Sequence, residues 1–175
     1  GHRIYIRGIL YIMAKALNEV YPEALLSVNY QLSSAMFCKI DNMEITDEMI
    51  ANVKARMQEI INQNLEIRKV VMTKEEAEEF YSNEKTLRGI VQIDNTQKEG
   101  VSLYYCEDYF NYFFGVMPVT TAYTDVFDVI KYSDGFLVRY PSEEKPNELT
   151  NYKSNKKLLS TLEEYEDIHR VLKID

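Results

Sequence analysis

The chain has 175 residues, 46% of them hydrophobic and 27% charged, enough to build one core and too few for two full domains. Its formal net charge of -8 and pI near 4.9 set the surface against phosphate backbones and anionic lipid headgroups, so a general nucleic-acid or membrane binder is disfavoured. No apolar run approaches the ~20 residues that span a bilayer and no basic segment leads into a signal-peptide core, so a cytoplasmic protein is expected.

Residues 7–21 carry Ile9, Leu10, Met13, Ala14, Leu17 and Val20 at three- and four-residue steps, one apolar face of a helix that Pro22 stops. Residues 25–32 and 35–40, joined by Ser33-Ser34 and followed by the Asp41-Asn42 turn, read as a hairpin. Thr46, placed before Asp47 and Glu48, opens a helix whose period runs through Met49, Ile50, Val53, Met57, Ile60 and Ile61 to about Asn64. The Ile- and Val-rich stretch 66–72 predicts a strand, and Thr73-Lys74-Glu75-Glu76 is a capping box for a shorter helix to about Tyr81. Four β-like runs follow at 89–93, 101–106, 126–132 and 136–140, with Ser133-Asp134-Gly135 as the turn between the last two. Residues 142–153, polar and carrying Pro146, read as a linker or surface loop. Leu158, Leu159, Leu162, Tyr165, Ile168 and Leu172 mark a final helix. Helices and strands mix without a regular βαβ alternation, which predicts an α+β fold with an antiparallel sheet packed against helices.

The usual signatures of catalysis are absent from this segment. There is no Gly-rich phosphate loop, no Gly-x-Ser-x-Gly elbow, no His-Glu-x-x-His and no Cys-x-x-Cys. Cys38 and Cys106 lie inside apolar or aromatic stretches, the pattern of reduced, buried thiols. His2 and His169 stand near opposite ends without neighbours at ligand spacing, so no metal residue is assigned. Gly1 reads as a scar of tag removal and 171–175 stop on an apolar-rich segment, so a piece of a longer chain is expected.

The unusual stretch is 104–118. Such aromatic density can stack a nucleobase, but with 14 Tyr and no Trp in the chain, aromatic burial has to come from clusters like this one, and core packing is the expected use. Glu107, Asp108 and Asn111 are its polar members; a carboxylate among aromatics could have a raised pKa and act in catalysis, while a solvated strand end is the plainer reading. Arg139 sits in an otherwise apolar strand, opposite Phe136, Val138 and Tyr140 by the period of two, where it could hold an anion or be exposed or paired with a carboxylate. The charged runs 74–79 and 163–167 read as solvated helix faces.

Four motifs then follow one another in a recognisable order: Ala16-Leu17-Asn18-Glu19-Val20-Tyr21-Pro22, Ile45-Thr46-Asp47-Glu48-Met49, Thr73-Lys74-Glu75-Glu76-Ala77, and Cys106-Glu107-Asp108-Tyr109 through Gly115. Over residues 7–117 this order resembles the second additional domain of threonyl-tRNA synthetases, the editing module shared with alanyl-tRNA synthetases. The resemblance implies an editing-domain-like fold whose site is a His-x-x-x-His pair plus a Cys-x-x-x-His pair, holding a metal or orienting a hydrolytic water. The matching positions here are Arg7, Tyr11, Phe113 and Met117, none of which can act as an imidazole base or a good zinc ligand. Hydrolysis by the family mechanism is therefore not expected.

Arg3-Ile4-Tyr5-Ile6-Arg7, the Asp-Tyr-Phe-x-Tyr-Phe-x-Gly-x-Met run 108–117 and the Gly-x-Leu-x-Arg-x-Pro run 135–141 resemble more closely the synthetase-like domain that precedes the kinase domain in bacterial uridine kinase-like (nucleoside kinase) proteins. That resemblance implies an editing-like module over 1–141 and a linker and helix over 142–175 leading to a P-loop kinase domain of the same chain, a transferase. It implies ATP and magnesium in that kinase domain and no cofactor in this segment. The function expected on this basis is a non-catalytic accessory domain, regulatory or ligand-binding. No catalytic residue is assigned. Arg7, Tyr11, Asp108, Tyr109, Phe113, Met117 and Arg139 form the expected ligand-binding set, with a nucleoside or nucleotide as the candidate ligand. The alternative is a hydrolytic editing module acting on mischarged tRNA.

Overall fold

Along the chain of this computed structural model come α1 (His2–Val20), β1 (Leu26–Gln31), β2 (Ala35–Ile40), α2 (Asp47–Gln63), β3 (Arg68–Met72), α3 (Lys74–Asn83), β4 (Val101–Cys106), β5 (Tyr109–Tyr112), a 3-10 turn (Thr121–Tyr123), β6 (Asp128–Tyr132) and β7 (Gly135–Arg139). The structure describes residues 2–32, 34–83, 101–112, 115–143, 145 and 147–149. The predicted strand 89–93, the final helix and half of the loop 142–153 lie outside the described residues. Among the described residues no helix is long and apolar enough to cross a membrane.

α1 begins earlier than predicted because Ile6 continues the buried face of Ile9, Ile12 and Met13 by one turn toward the N-terminus. It ends just before Pro22, with the Tyr21 amide still bonded to the Leu17 carbonyl at 2.7 Å. α2 starts where expected: the Thr46 hydroxyl accepts from the Met49 amide at 3.2 Å, and Asp47 and Glu48 occupy the positive end of the helix dipole. It closes on Asn64 in the left-handed region (φ 51°), a conformation asparagine tolerates.

The antiparallel strands of this α+β fold divide between two sheets. The larger has the order β1-β2-β7-β6 and the smaller β3-β4-β5. On the large sheet the period of two sorts side chains by face: Met36, Cys38, Ile40, Phe136 and Val138 join the core made by α1 and α2, with Ile12, Leu17, Met57 and Ile60 opposite them. Each such side chain contributes roughly 1.5–3 kcal/mol by leaving water. Phe37 and Leu137, register partners on β2 and β7, bury on the other face with Tyr30, Ile130 and Tyr132 around them.

On the small sheet Leu103 and Tyr105 turn toward Ala77 of α3, with Met72, Phe110 and Tyr112. Tyr104 and Cys106 point the other way and meet Tyr11, Ile67 and Met117. β5 was not predicted, because aromatic residues on both faces erase the alternation that marks a strand. β4 and β5 are joined by Glu107-Asp108, with Glu107 at φ 54°. The matching turn between β6 and β7 uses Ser133-Asp134, so Gly135 starts a strand rather than sitting in the turn. At the start of α3 the Thr73 hydroxyl accepts from the Glu76 amide at 3.1 Å and lies 3.0 Å from the Glu76 carboxylate, which accepts from it.

The return from β5 to β6 is pinned to α2. Ile67 donates to Val119 at 2.8 Å and Thr121 to Leu65 at 2.9 Å through their amides. The buried Thr121 hydroxyl donates to the Ile60 carbonyl at 2.7 Å and accepts from the Leu65 amide at 2.8 Å. These bonds fix where Met117 lies.

Candidate functional site

One side of α1 carries Arg7, Tyr11, Lys15 and Glu19 at four-residue spacing, a polar stripe beside the helix's apolar face. Segment 115–118 and the β4–β5 hairpin lie against it. Gly8 permits the approach: a Cβ there would meet Pro118 at 2.6 Å and Thr124 at 2.7 Å. Gly115, at φ +105°, lets the chain turn beneath Arg7, whose guanidinium carbon would lie 2.6 Å from an added Cβ.

Arg7 is half-buried and donates through Nη1 to the Val116 carbonyl at 3.0 Å, at a point open to solvent. Tyr104 donates to the Gly115 carbonyl at 2.9 Å; burial raises its phenol pKa, with the Arg7 charge acting in the opposite sense. Tyr11, 0% exposed, donates to the Tyr104 carbonyl at 2.7 Å, and its ring meets Tyr109 edge-on at a centroid distance of 5.2 Å. Met117 packs with Tyr11, Tyr104, Cys106 and Ile67.

The next turn of the stripe holds Lys15, only 1% exposed, with its ammonium 2.5 Å from Glu19 and 3.2 Å from Glu107. Arg56 of α2 reaches Glu19 at 2.5 Å and Glu59 at 2.9 Å. Burial alone would raise the Glu19 carboxyl, but hydrogen bonds from Arg56 and Lys15 outweigh it and the pKa is lowered. Burial raises the Cys106 thiol, against the pull of the Lys15 charge. A buried ammonium held by two carboxylates ties α1 to the β4–β5 turn.

Of the residues predicted to line a site, the structure brings Arg7, Tyr11, Tyr109 and Met117 together. Asp108 is exposed on the β4–β5 turn. Arg139 is buried in the large sheet, at the register position between Ala35 and Asp128, apart from the α1 stripe. Phe113 lies outside the described residues. The aromatic stretch serves packing: Tyr104, Tyr105, Tyr109, Phe110 and Tyr112 all belong to the two clusters flanking the small sheet. Lys15 and Glu19 escaped the sequence reading, and the signal that could have found them is the four-residue polar spacing from Arg7. Among the described residues no group of three or more His, Cys, Asp or Glu side chains is arranged to hold a metal. The chemistry the stripe offers to solvent is the fixed positive charge of Arg7 beside backbone carbonyls.

No protein-family model matches the chain. Among curated proteins it is 28% identical over 96 residues to a threonine–tRNA ligase of Clostridium acetobutylicum, covering 54% of this chain and 15% of that protein. A Fusobacterium nucleatum threonine–tRNA ligase is 24% identical over 130 residues, 73% of this chain and 21% of the relative. One from Listeria welshimeri is 26% identical over 128 residues, 72% of this chain and 20% of the relative. The chain thus spans about a fifth or less of the length of the relatives it matches. These relatives overturn the main functional expectation, an accessory domain of a uridine kinase-like protein: the similarity runs to threonine–tRNA ligases, and the kinase-like parent finds no support. The aromatic run that carried the kinase-like resemblance packs the two faces of the small sheet, whereas the order of motifs along the chain is the one that the threonine–tRNA ligases share. The kinase partner, ATP and magnesium implied by that resemblance have no separate observation behind them. What the comparisons and the antiparallel α+β architecture support together is a threonyl-tRNA synthetase-like domain.

Proposed function

We propose that this chain is an editing-type module acting in the cytoplasm on the aminoacyl end of a mischarged transfer RNA. The observation that supports it is the conjunction of similarity to threonine–tRNA ligases with the seating of Arg7 and Tyr11 of α1 against segment 115–117, where the resemblance puts the site. The surface as a whole repels RNA, so recognition on this reading is local, with a few cations meeting the terminal phosphates of a single-stranded end rather than a basic face meeting a duplex.

Arg7 is the residue that carries the chemistry in this proposal. When water adds to an ester carbonyl the oxygen gains negative charge, and a fixed guanidinium nearby stabilises that charge more than it stabilises the ester. Neither Tyr11 nor Met117 is a proton acceptor at neutral pH, so rate enhancement on this reading comes from charge stabilisation and positioning, without a side-chain base at those positions. Turnover is accordingly slow. The test is release of the amino acid from a wrongly charged tRNA in the presence and absence of the chain. Acceleration over spontaneous hydrolysis is expected, with a drop of about 100-fold for Arg7→Ala, the scale of losing one oxyanion donor. No acceleration at chain concentrations that saturate tRNA binding, or an unchanged rate with Arg7→Ala, would overturn the proposal.

A further inference from the structure

At the N-terminal end of α1, away from the Arg7 stripe, three stretches of chain enclose a cavity of about 460 Å³. His2 and Tyr5 reach it from α1, Tyr123 and Asp125 from the 3-10 turn and the loop after it, and Pro141, Glu143 and Asn147 from beyond β7. The size falls within the range of small-molecule sites, about 300–1,000 Å³.

Two of its walls are aromatic. Tyr5 and Tyr123 stand with ring centroids 5.9 Å apart at 50° to each other. The Tyr5 hydroxyl is held by the backbone, donating its proton to the Val126 carbonyl at 2.7 Å and accepting from the Val126 amide at 2.8 Å, so this side chain offers the cavity chiefly its ring. Burial, aided by the Asp125 charge and opposed by the Val126 bond, raises the Tyr5 phenol to about 12, and it stays neutral. Tyr123 is 45% exposed, a large aromatic left open at the rim.

Two more of its lining residues are acidic. Asp125 and Glu143 both line the cavity and are exposed, and neither is spent in an ion pair with another described residue, so both charges are available to a ligand there. The His2 Nε2, on the same wall, is buried without a hydrogen-bond partner. Faces of tyrosine rings and unpaired carboxylates attract the same thing, a cation. A hard metal ion needs several oxygen ligands converging on one point, and no such group exists among the described residues. A weakly hydrated organic cation needs only a ring face and a nearby charge.

We propose that this cavity binds an organic ammonium group, cradled by the Tyr5 and Tyr123 rings with Asp125 and Glu143 as its counter-charges. The inference does not depend on the tRNA reading, because none of these residues belongs to the Arg7 stripe.

The probe is tetramethylammonium chloride, titrated calorimetrically into the chain against sodium chloride of the same ionic strength. Saturable binding is expected for the chain as it stands. It should weaken about tenfold with Tyr123→Ala, the scale of losing one ring face, and stay within about twofold with Tyr123→Phe, which keeps the ring. The double variant Asp125→Asn with Glu143→Gln should lose it. All of these positions are exposed, and unchanged far-UV circular dichroism certifies the fold. Three results would each overturn the proposal: a titration that never saturates, affinity unchanged in the double variant, or magnesium displacing the organic cation at matched ionic strength.

Discussion

The large sheet rests on α1 and α2 through Ile9, Ile12, Met13, Leu17, Met57 and Ile60, side chains with no polar atom to satisfy. The small sheet and the segment that follows it meet the same helix through Tyr11, Lys15 and Arg7, each bonded to a particular carbonyl or carboxylate. Apolar burial is strong and non-directional, so the first contact tolerates small shifts. The second is directional, and a partner lost to the buried Tyr11 or Lys15 leaves a polar atom stranded. One helix therefore serves as a core element on one side and as a positioning element on the other, and the candidate site lies on the side where position is specified.

The largest effect expected from breaking this contrast is in the large core. Phe136→Ala removes a ring buried between β7 and the helices and should cost about 3–5 kcal/mol in urea unfolding. Tyr11→Phe keeps the ring and deletes the hydroxyl beneath Tyr104, and the expected loss is about 1–2 kcal/mol. Hydrogen exchange separates the two: Tyr11→Phe should speed amide exchange in β4 and β5 while β2 and β7 keep their protection. A uniform change would mean that the sheets unfold as one unit.

Thiol labelling sharpens the same comparison without mutation. Both cysteines are free and buried, and burial raises the pKa of each. Cys106 should label through local opening of the small sheet and Cys38 only through global unfolding, so Cys106 should react first. The reverse order would mean that the small sheet does not open ahead of the large one.

The smallest expected effect is that of pH. Glu19 has a lowered pKa in the folded chain, so its contribution to stability is present above the ordinary carboxylate pKa and is lost as pH falls through the folded value. Chemical denaturation across the acid range should show this loss, and Glu19→Gln should flatten it. Partial exposure of this carboxylate keeps the effect small.

Local signals were enough for α2, where the Thr46 cap, the two acidic residues after it and an unbroken apolar period all agree, and for β4, whose bounds match the predicted 101–106. Which strands pair was not legible, because pairing is a long-range choice: nothing near residue 38 says that its neighbour on the sheet is Phe136. At the site, the seating of Arg7 and Tyr11 opposite segment 115–117 was reachable through the resemblance, since both positions belong to its ligand pattern. Lys15 was not, because a lysine on an amphipathic helix ordinarily sends its ammonium to water. The cavity of Tyr5, Tyr123 and Asp125 was also hidden, because its walls come from three separate stretches of chain.

The pairing of β2 with β7 also sets a timetable. On a ribosome β2 emerges long before β7, and at ordinary synthesis rates the interval is about 5–20 s. Throughout it, Ala35, Met36, Phe37 and Cys38 form a strand with one edge open, the kind of edge that recruits foreign strands. The charge set into that run is Lys39, which pairs with Asp134 once the last hairpin arrives. During synthesis the same ammonium is a guard against aggregation, and afterwards it is a tie between β2 and the β6–β7 turn of the finished sheet.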